Sequence, residues 1–173
     1  MNCNNEIFRK TFEDTLDEQG YSYQYYADNI YFIAPNNIPD RITTAKLICS
    51  DPIIEKLHGS KNDNEIKTIG YFRFKFPIEG KVQDFYIFAF NNNHDKKVEF
   101  VIIPCSELKN RIALRKCITT NNQDIELRFW LLPEGNVFDT TNFGAEGEWY
   151  FIAGRMAKNT ILDYSEFLNK WEL

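Results

Sequence analysis

Residues 84–104, DFYIFAFNNNHDKKVEFVIIP, contain two strongly apolar runs separated by a polar segment. In both runs, 84–90 and 98–104, apolar side chains occupy both faces of the alternating strand pattern. Strands of this kind are typical of the middle of a sheet, where both faces are covered. The intervening NNNHDKK is rich in turn-forming residues and predicts a hairpin or short loop. The stretch therefore predicts the interior of a β-sheet.

Further strands are predicted on either side of these two. They are SYQYY (22–26), NIYFIAP (29–35), ITTAKLIC (42–49), TIGYFRFKF (68–76) and IELRFWLL (125–132). Each is rich in the aromatic and β-branched residues that favour extended structure. In TIGYFRFKF, phenylalanine alternates with Tyr, Arg and Lys, which predicts one buried face and one wetter face.

Two helices are predicted in the amino-terminal third. Residues 4–19 place apolar side chains at helical spacing with acidic residues on the other side, and Gly20 supplies the stop. Asp51 has the chemistry of an N-cap and Pro52 that of a first helical position, which predicts a short helix through Leu57.

Two more helices are predicted in the carboxyl-terminal half. Ser106 is expected to cap a helix that runs to about Lys116. Thr160 with Asp163 three residues later is similar to a capping box and predicts a last helix over ILDYSEFLNKWEL.

The order of these elements predicts a single α+β (α/β-like) domain over residues 1–173, with a mixed central β-sheet flanked by helices. Its core is expected at about residues 5–116, and residues 117–173 are expected to add a strand and a helix as an extension. A chain of 173 residues is long enough to bury a proper core.

Composition excludes several classes of protein. There is no apolar run long enough for a membrane helix and no signal-peptide core, which predicts a cytoplasmic protein with no membrane contact. The four cysteines lack CxxC spacing and only two histidines accompany them, so neither a zinc site nor a disulfide framework is predicted. The net charge of −5 weighs against a surface that binds nucleic acid on all sides.

Residues 39–46, PDRITTAK, place Lys46 in a predicted strand that follows a leading acidic helix and a strand pair. Together with GYFRFKF, QDFYIFAF and EFVIIPCSEL, this order resembles the restriction-endonuclease-like superfamily, whose motif is PD-(D/E)XK. The resemblance covers roughly residues 5–116, and DYSEFLNKW is similar to the closing helix of some such proteins. It implies the fold of that superfamily and a role connected with DNA, such as restriction, repair or defence.

The resemblance assigns roles to individual residues. It carries the catalytic lysine to Lys46 and the second acidic position to Thr44. The first aspartate is Asp28, sixteen residues before Thr44, or Asp40, four residues before it. A strand and a turn normally separate the two elements, so the spacing favours Asp28 as a metal ligand. The helix acid of the superfamily corresponds to Glu13.

The threonine at position 44 decides what chemistry is expected. Cleavage by this route needs Mg²⁺ held by about two carboxylates, which polarises the phosphate and activates water. Because a threonine hydroxyl is neutral, it removes one charge from the metal cage. If the domain is active, it is expected to be a Mg²⁺-dependent DNA endonuclease. With Thr44 in place, the catalytically degenerate form is predicted instead.

Other candidate residues have two interpretations each. Lys109, Arg111, Arg115 and Lys116 form the most basic cluster in the chain, which is either a nucleic-acid-binding surface or a solvated helix face. Asp84 begins a strand, where it either serves a site at the sheet edge or forms a turn.

A second class of function is compatible with the same sequence. The acidic charge and the many Tyr and Trp residues suit a small cytoplasmic binding protein of the immunity or inhibitor type. Such a protein has no enzymatic activity and binds a basic protein partner.

Overall fold

In the computed structural model, the two apolar runs of residues 84–104 form neighbouring antiparallel strands, β6 (Phe85–Asn92) and β7 (Lys97–Pro104). The structure describes residues 6–52, 70–77, 83–92, 97–114, 124–131, 135–140 and 162–173. The antiparallel pairing of these consecutive strands is the one that a hairpin needs, and residues 93–96 between them lie outside the described residues.

β6 and β7 belong to a mixed five-stranded sheet, the first sheet. Its other strands are β1 (Tyr21–Tyr26), β2 (Ile30–Pro35) and β3 (Thr43–Cys49), and the order is β1-β2-β3-β6-β7. Only β3 and β6 run parallel. Because parallel strands need a crossover, the chain leaves this sheet after β3 and returns at β6.

The crossover contributes to a second, antiparallel sheet with the order β4-β5-β8-β9. Its strands are β4 (Asp51–Pro52), β5 (Gly70–Pro77), β8 (Asp124–Leu131) and β9 (Val137–Asp139). β8 pairs with β5 along its whole length. The carboxyl-terminal strand expected as an extension is therefore the central partner of β5.

Helix α1 (Glu6–Glu18) covers one face of the first sheet. Its residues Phe8, Phe12 and Leu16 are buried at the i, i+4, i+8 spacing that places side chains on one helix face. Phe12 lies 4.9 Å from the ring of Tyr31 on β2. This confirms the amphipathic helix that the sequence predicts.

The opposite face of the first sheet packs on the second sheet through phenylalanines. The ring of Phe72 on β5 lies 4.7 Å from Phe90 on β6, and Phe74 lies 5.0 Å from Phe88. Phe74 also lies 5.3 Å from Phe129 on β8. The alternation in TIGYFRFKF is thus confirmed, since its phenylalanines form the buried face between the sheets.

Helix α2 (Cys105–Leu114) follows β7 and packs Leu108 and Ile112 against the same core. It begins at Cys105, one residue before the expected cap, and the Cys105 amide donates to the carbonyl of Asp84 over 2.8 Å. The result is the mixed α+β domain that the sequence predicts, with one change. One face of the central sheet is covered by α1, and the other by a second sheet together with α2.

The prediction of a short helix beginning at Asp51 is wrong for its first two residues. Asp51 and Pro52 pair with Arg73 and Phe72 as strand β4 of the second sheet. One residue, Ser50, separates them from β3, so the chain crosses from one sheet to the other by continuing in extended form. The remainder of that predicted helix lies outside the described residues.

The prediction of a last helix over ILDYSEFLNKWEL is also wrong. Residues 162–173 contain a single 3-10 turn, Ser165–Phe167, within irregular chain. On one side the Tyr164 amide donates to the carbonyl of Val137 on β9, and on the other the Asn169 amide donates to that of Phe100 on β7. Hydrogen bonds to both sheet edges therefore replace the intrahelical bonds that local propensity favours.

Two further expectations need correction. β7 is the outer strand of the first sheet among the described residues, although its composition predicts a central strand. Both of its faces are apolar because Phe100 and Ile102 pack in the core under α1, and Val101 and Ile103 pack in the core between the sheets. The bridge between Val101 and Leu168 covers its edge. Cys49 is bonded in a disulfide, whereas the cysteine spacing predicts none, and its second sulfur lies outside the described residues.

Candidate functional site

Thr44 and Lys46 lie on the same face of β3, the face opposite α1. Their neighbours Thr43, Ala45 and Leu47 are buried towards the helix side. Since successive residues of a strand point to opposite faces, Thr44 and Lys46 project away from α1. Both are half-buried.

The carboxylate beside Thr44 belongs to Asp84. The Thr44 hydroxyl donates to Asp84 Oδ2 over 2.7 Å, and the Thr44 amide donates to the same oxygen over 2.8 Å. The Asp84 amide in turn donates to the Thr44 carbonyl over 3.0 Å. Asp84 immediately precedes β6, which runs parallel to β3, so both residues stand at the same end of the parallel strand pair.

Asp28 is placed differently. It lies in the 3-10 turn Ala27–Asn29 between β1 and β2, with φ of +60°, and is exposed. Ile30, two residues later, is the cross-strand partner of Lys46, and Phe32 is the partner of Thr44. In this antiparallel register Asp28 lies beyond Lys46 on the side away from Thr44. The structure therefore does not bring Asp28 and Thr44 together.

A metal cage is not assembled by these residues. Within the described part of the chain, no group of three or more His, Cys, Asp or Glu side chains is placed to hold a metal ion. Asp40, the alternative first aspartate, is exposed in the loop before β3. The resemblance implies Mg²⁺, and the residues that it assigns do not fit that ion.

Glu13, assigned by the resemblance as the helix acid, lies on the other side of the sheet. Its Oε1 accepts a hydrogen bond from the Tyr31 hydroxyl over 3.0 Å and pairs with Arg9 over 3.1 Å. Burial raises the pKa of Tyr31, and the adjacent Glu13 carboxylate raises it further. Glu13 therefore anchors α1 to β2, and the sheet separates it from Lys46.

The predicted basic cluster on α2 is divided by the structure. Arg111 is 6% exposed, whereas Lys109 is exposed. Arg115 and Lys116 lie outside the described residues. Arg111 points into the core, so it does not share a phosphate-binding surface with Lys109.

Arg111 instead holds the carboxyl-terminal segment. Its guanidinium pairs with Glu107 over 2.6 Å and with Glu166 over 2.8 Å. It also lies 4.9 Å from the ring centres of both Tyr164 and Phe167. The sequence did not predict this role, because Tyr164 and Phe167 are distant from Arg111 along the chain. Only Glu107, four residues before Arg111, is a local partner.

The face that carries Thr44 and Lys46 also carries exposed aromatic rings. Phe32, the cross-strand partner of Thr44, is 39% exposed, and Tyr26 is 55% exposed. The two rings meet edge to face at 6.2 Å. We call this surface, formed by Gln24, Tyr26, Phe32, Thr44 and Lys46, the open face.

Comparison of the chain with known protein families, with curated proteins and with solved structures gives no match. Neither of the described helices is long and apolar enough to cross a membrane.

Proposed function

We propose that the chain is a restriction-endonuclease-like domain that binds DNA through the open face and does not cleave it. The observation that carries this proposal is that Lys46 and the exposed rings of Phe32 and Tyr26 share one face of the first sheet. A cation and accessible rings are the two groups that bind single-stranded nucleic acid, through phosphate contact and base stacking.

The fold supports the same proposal. Helix α1, the pair β1–β2 and the lysine strand β3 follow one another in the order on which the resemblance rests. Lys46 occupies the strand that the resemblance assigns to it.

The absence of cleavage follows from the neighbourhood of Thr44. Its hydroxyl is neutral, and the carboxylate next to it is already engaged by the Thr44 amide and hydroxyl. Asp28, the other proposed ligand, lies beyond Lys46. Since the described residues do not direct two carboxylates at one point, they offer a divalent cation no cage in which to activate water.

Fluorescence anisotropy with labelled single- and double-stranded DNA at low ionic strength tests the binding. Lys46→Ala is expected to weaken affinity by roughly tenfold, the scale of one charge-assisted hydrogen bond. Lys10→Ala is the matched control, because Lys10 is exposed on α1, across the sheet. The absence of binding to either DNA, or equal losses in the two variants, would contradict the proposal.

A stacking variant and its control make the test more specific. Phe32→Ala is expected to lose about 1–3 kcal/mol of binding to single strands. Ile42→Ala removes an apolar side chain that is also exposed, in the loop before β3, and is expected to bind normally. Incubation of plasmid DNA with Mg²⁺ or Mn²⁺ is expected to leave it intact. Cleavage that Lys46→Ala abolishes would overturn the claim that the site is inactive.

A protein-binding role without enzymatic activity is the second candidate. It is favoured by the exposed carboxylates of Asp14 and Asp17 on α1 and by Tyr25, which is 40% exposed on the same side of the sheet. Acidic and aromatic surfaces suit a basic protein partner. A stoichiometric partner that is lost on Asp14→Lys and Asp17→Lys, with DNA binding absent in the parent chain, would favour this role over the first.

A DNA-binding role places the protein in the cytoplasm, the location that the sequence predicts. Thiols are kept reduced in that compartment. The Cys49 disulfide is then expected only under oxidising conditions, which titration of free thiols before and after exposure to oxidant measures.

A further inference from the structure

The outer edge of β1 is the feature from which a further interaction follows. In the first sheet β1 pairs with β2 on one side, and no described residue pairs with its other side. The opposite edge of the same sheet is closed, since Leu168 bridges Val101 and the Asn169 amide donates to the carbonyl of Phe100. In the second sheet the edge of β9 is covered as well, by the bridge between Phe138 and Asp163.

β1 also lacks the features that keep edge strands apart. Exposed edges usually carry a lysine, a proline or a bulge, because unpaired backbone groups attract other strands. The sequence of β1, YSYQYY, contains no charged residue and no proline. Its pairing with β2 is continuous from Tyr21 to Tyr26, without a bulge.

The register identifies which backbone groups face outward. The Asn36 amide donates to the Gly20 carbonyl over 2.9 Å, and residues 20 and 36 continue the register of β1 with β2. In an antiparallel pair, hydrogen-bonded and non-hydrogen-bonded positions alternate. Ser22, Gln24 and Tyr26 therefore bond to β2, so the N–H and C=O groups of Tyr21, Tyr23 and Tyr25 point away from it.

We propose that a second copy of this chain pairs with that edge, β1 against β1 in antiparallel order, with Tyr23 opposite its own copy. In this register Tyr21 lies opposite Tyr25 of the other copy, so every outward-facing residue meets another. The pairing makes six backbone hydrogen bonds and joins the two five-stranded sheets into one of ten strands.

The side chains fit this register. A two-fold axis perpendicular to the sheet keeps the α1 side of one copy beside the α1 side of the other, so the two copies use the same patch. Tyr21, Tyr23 and Tyr25 all project to that side, and the rings of Tyr23 and Tyr25 pack on Tyr31 at 6.2 and 5.3 Å. Cross-strand aromatic pairs stabilise antiparallel sheets. No residue of β1 itself carries a charge.

A single strand pair lies at the small end of specific interfaces, so the dimer is expected to depend on concentration. Sedimentation equilibrium is expected to show a mass that rises with concentration from 20.4 kDa towards twice that value. Hydrogen exchange measured by NMR tests which residues of β1 pair with the second copy. The amides of Tyr21, Tyr23 and Tyr25 are expected to become protected as concentration rises, whereas those of Ser22 and Gln24 are protected throughout.

Tyr23→Pro is the decisive variant. The Tyr23 amide points outward, so proline removes no hydrogen bond within one copy while it blocks the centre of the pairing. It is expected to be monomeric, with an unchanged far-UV circular dichroism spectrum, and Tyr23→Phe is expected to dimerise like the parent chain. If Tyr23→Pro does not fold, the test rests on the parent chain, in which the exchange protection of the Tyr21, Tyr23 and Tyr25 amides is measured against protein concentration. A parent chain that stays monomeric with unprotected outward amides, or a folded Tyr23→Pro that still dimerises, would overturn the proposal.

Discussion

Thr44 and Asp84 lie forty positions apart in the chain, yet the Thr44 hydroxyl and amide both donate to one oxygen of the Asp84 carboxylate, over 2.7 and 2.8 Å. This contact fixes the beginning of β6 against β3 where the two parallel strands start. Parallel strands are joined by long crossovers and not by tight turns, so their register needs such contacts. The same contact places a carboxylate beside the residue that the resemblance assigns to metal binding.

Removal of this contact is expected to lower the free energy of unfolding only a little. The effects of substitutions at Thr44 and at Asp84 are expected not to be additive. Thr44→Val and Asp84→Ala should each lower the free energy of unfolding by about 1 kcal/mol, the net value of a typical hydrogen bond. The double variant should lose less than the sum, with a coupling energy of at least about 0.5 kcal/mol. Urea unfolding measures all three. Asp40→Ala, at an exposed loop position, is the control and should be near neutral. Additive losses would show that the contact does not form in solution.

Arg111→Ala is expected to be strongly destabilising. It removes the buried guanidinium that packs on the rings of Tyr164 and Phe167, whereas the carboxylates of Glu107 and Glu166 stay hydrated, so we expect a loss of about 2–3 kcal/mol. Lys109→Ala, which removes an exposed charge from the same helix, should change stability by less than about 0.5 kcal/mol. Thermal unfolding compares the two variants.

Hydrogen exchange shows where the Arg111 contact acts. Because the guanidinium bonds to the carbonyl of Asp163, the amides of Tyr164 and Asn169 should exchange faster in Arg111→Ala. Unchanged protection of these amides would mean that the carboxyl-terminal segment is held by other contacts.

The strands of the first sheet could be predicted because their signal is local. Alternating or continuous apolar residues bounded by turn formers indicate β1, β2, β3, β6 and β7 without knowledge of their partners. The last helix could not be predicted in the same way. DYSEFLNKW has helical propensity, but hydrogen bonds from Tyr164 and Asn169 to two different sheets outweigh it.

The site was predictable only in part for the same reason. Lys46 could be assigned to its strand from local pattern alone, and this is confirmed. The placement of Asp84 beside Thr44 depends on a parallel pairing that no local pattern contains. From its spacing alone, Arg111 was expected on a charged, solvated helix face. It is buried instead, because Tyr164 and Phe167, about fifty positions away in the chain, pack on its guanidinium.

Phe12 is expected to be the side chain on α1 that contributes most to stability. It is fully buried and its ring lies near those of Tyr31, Phe100 and Trp171, which join the helix to β2, β7 and the carboxyl-terminal segment. Phe12→Ala should lower the free energy of unfolding by about 3–5 kcal/mol because it leaves a cavity among them. Ile7→Ala, on the exposed side of the same helix, should cost less than about 0.5 kcal/mol. Similar losses in urea unfolding would contradict this packing of α1.

The raised pKa of Tyr31 predicts how stability changes in alkaline solution. Burial and the Glu13 carboxylate both disfavour the tyrosinate in the folded chain, whereas in the unfolded chain the hydroxyl ionises near its ordinary pKa of 10.0. Because the pKa of Tyr31 is higher in the folded chain than in the unfolded chain, its contribution to the free energy of unfolding is fully present below pH 10. That contribution is lost as the pH rises above 10. This residue should contribute a decline of up to about 1.4 kcal/mol per pH unit above that point.

Tyr31→Phe isolates this contribution. Below pH 10 it should be less stable than the parent chain by about 1 kcal/mol, because the hydrogen bond to Glu13 is lost. Above pH 10 it should lose stability less steeply, so the two curves of unfolding free energy against pH converge and then cross. A constant difference between Tyr31→Phe and the parent up to pH 11 would mean that Tyr31 ionises equally in the folded and unfolded chains.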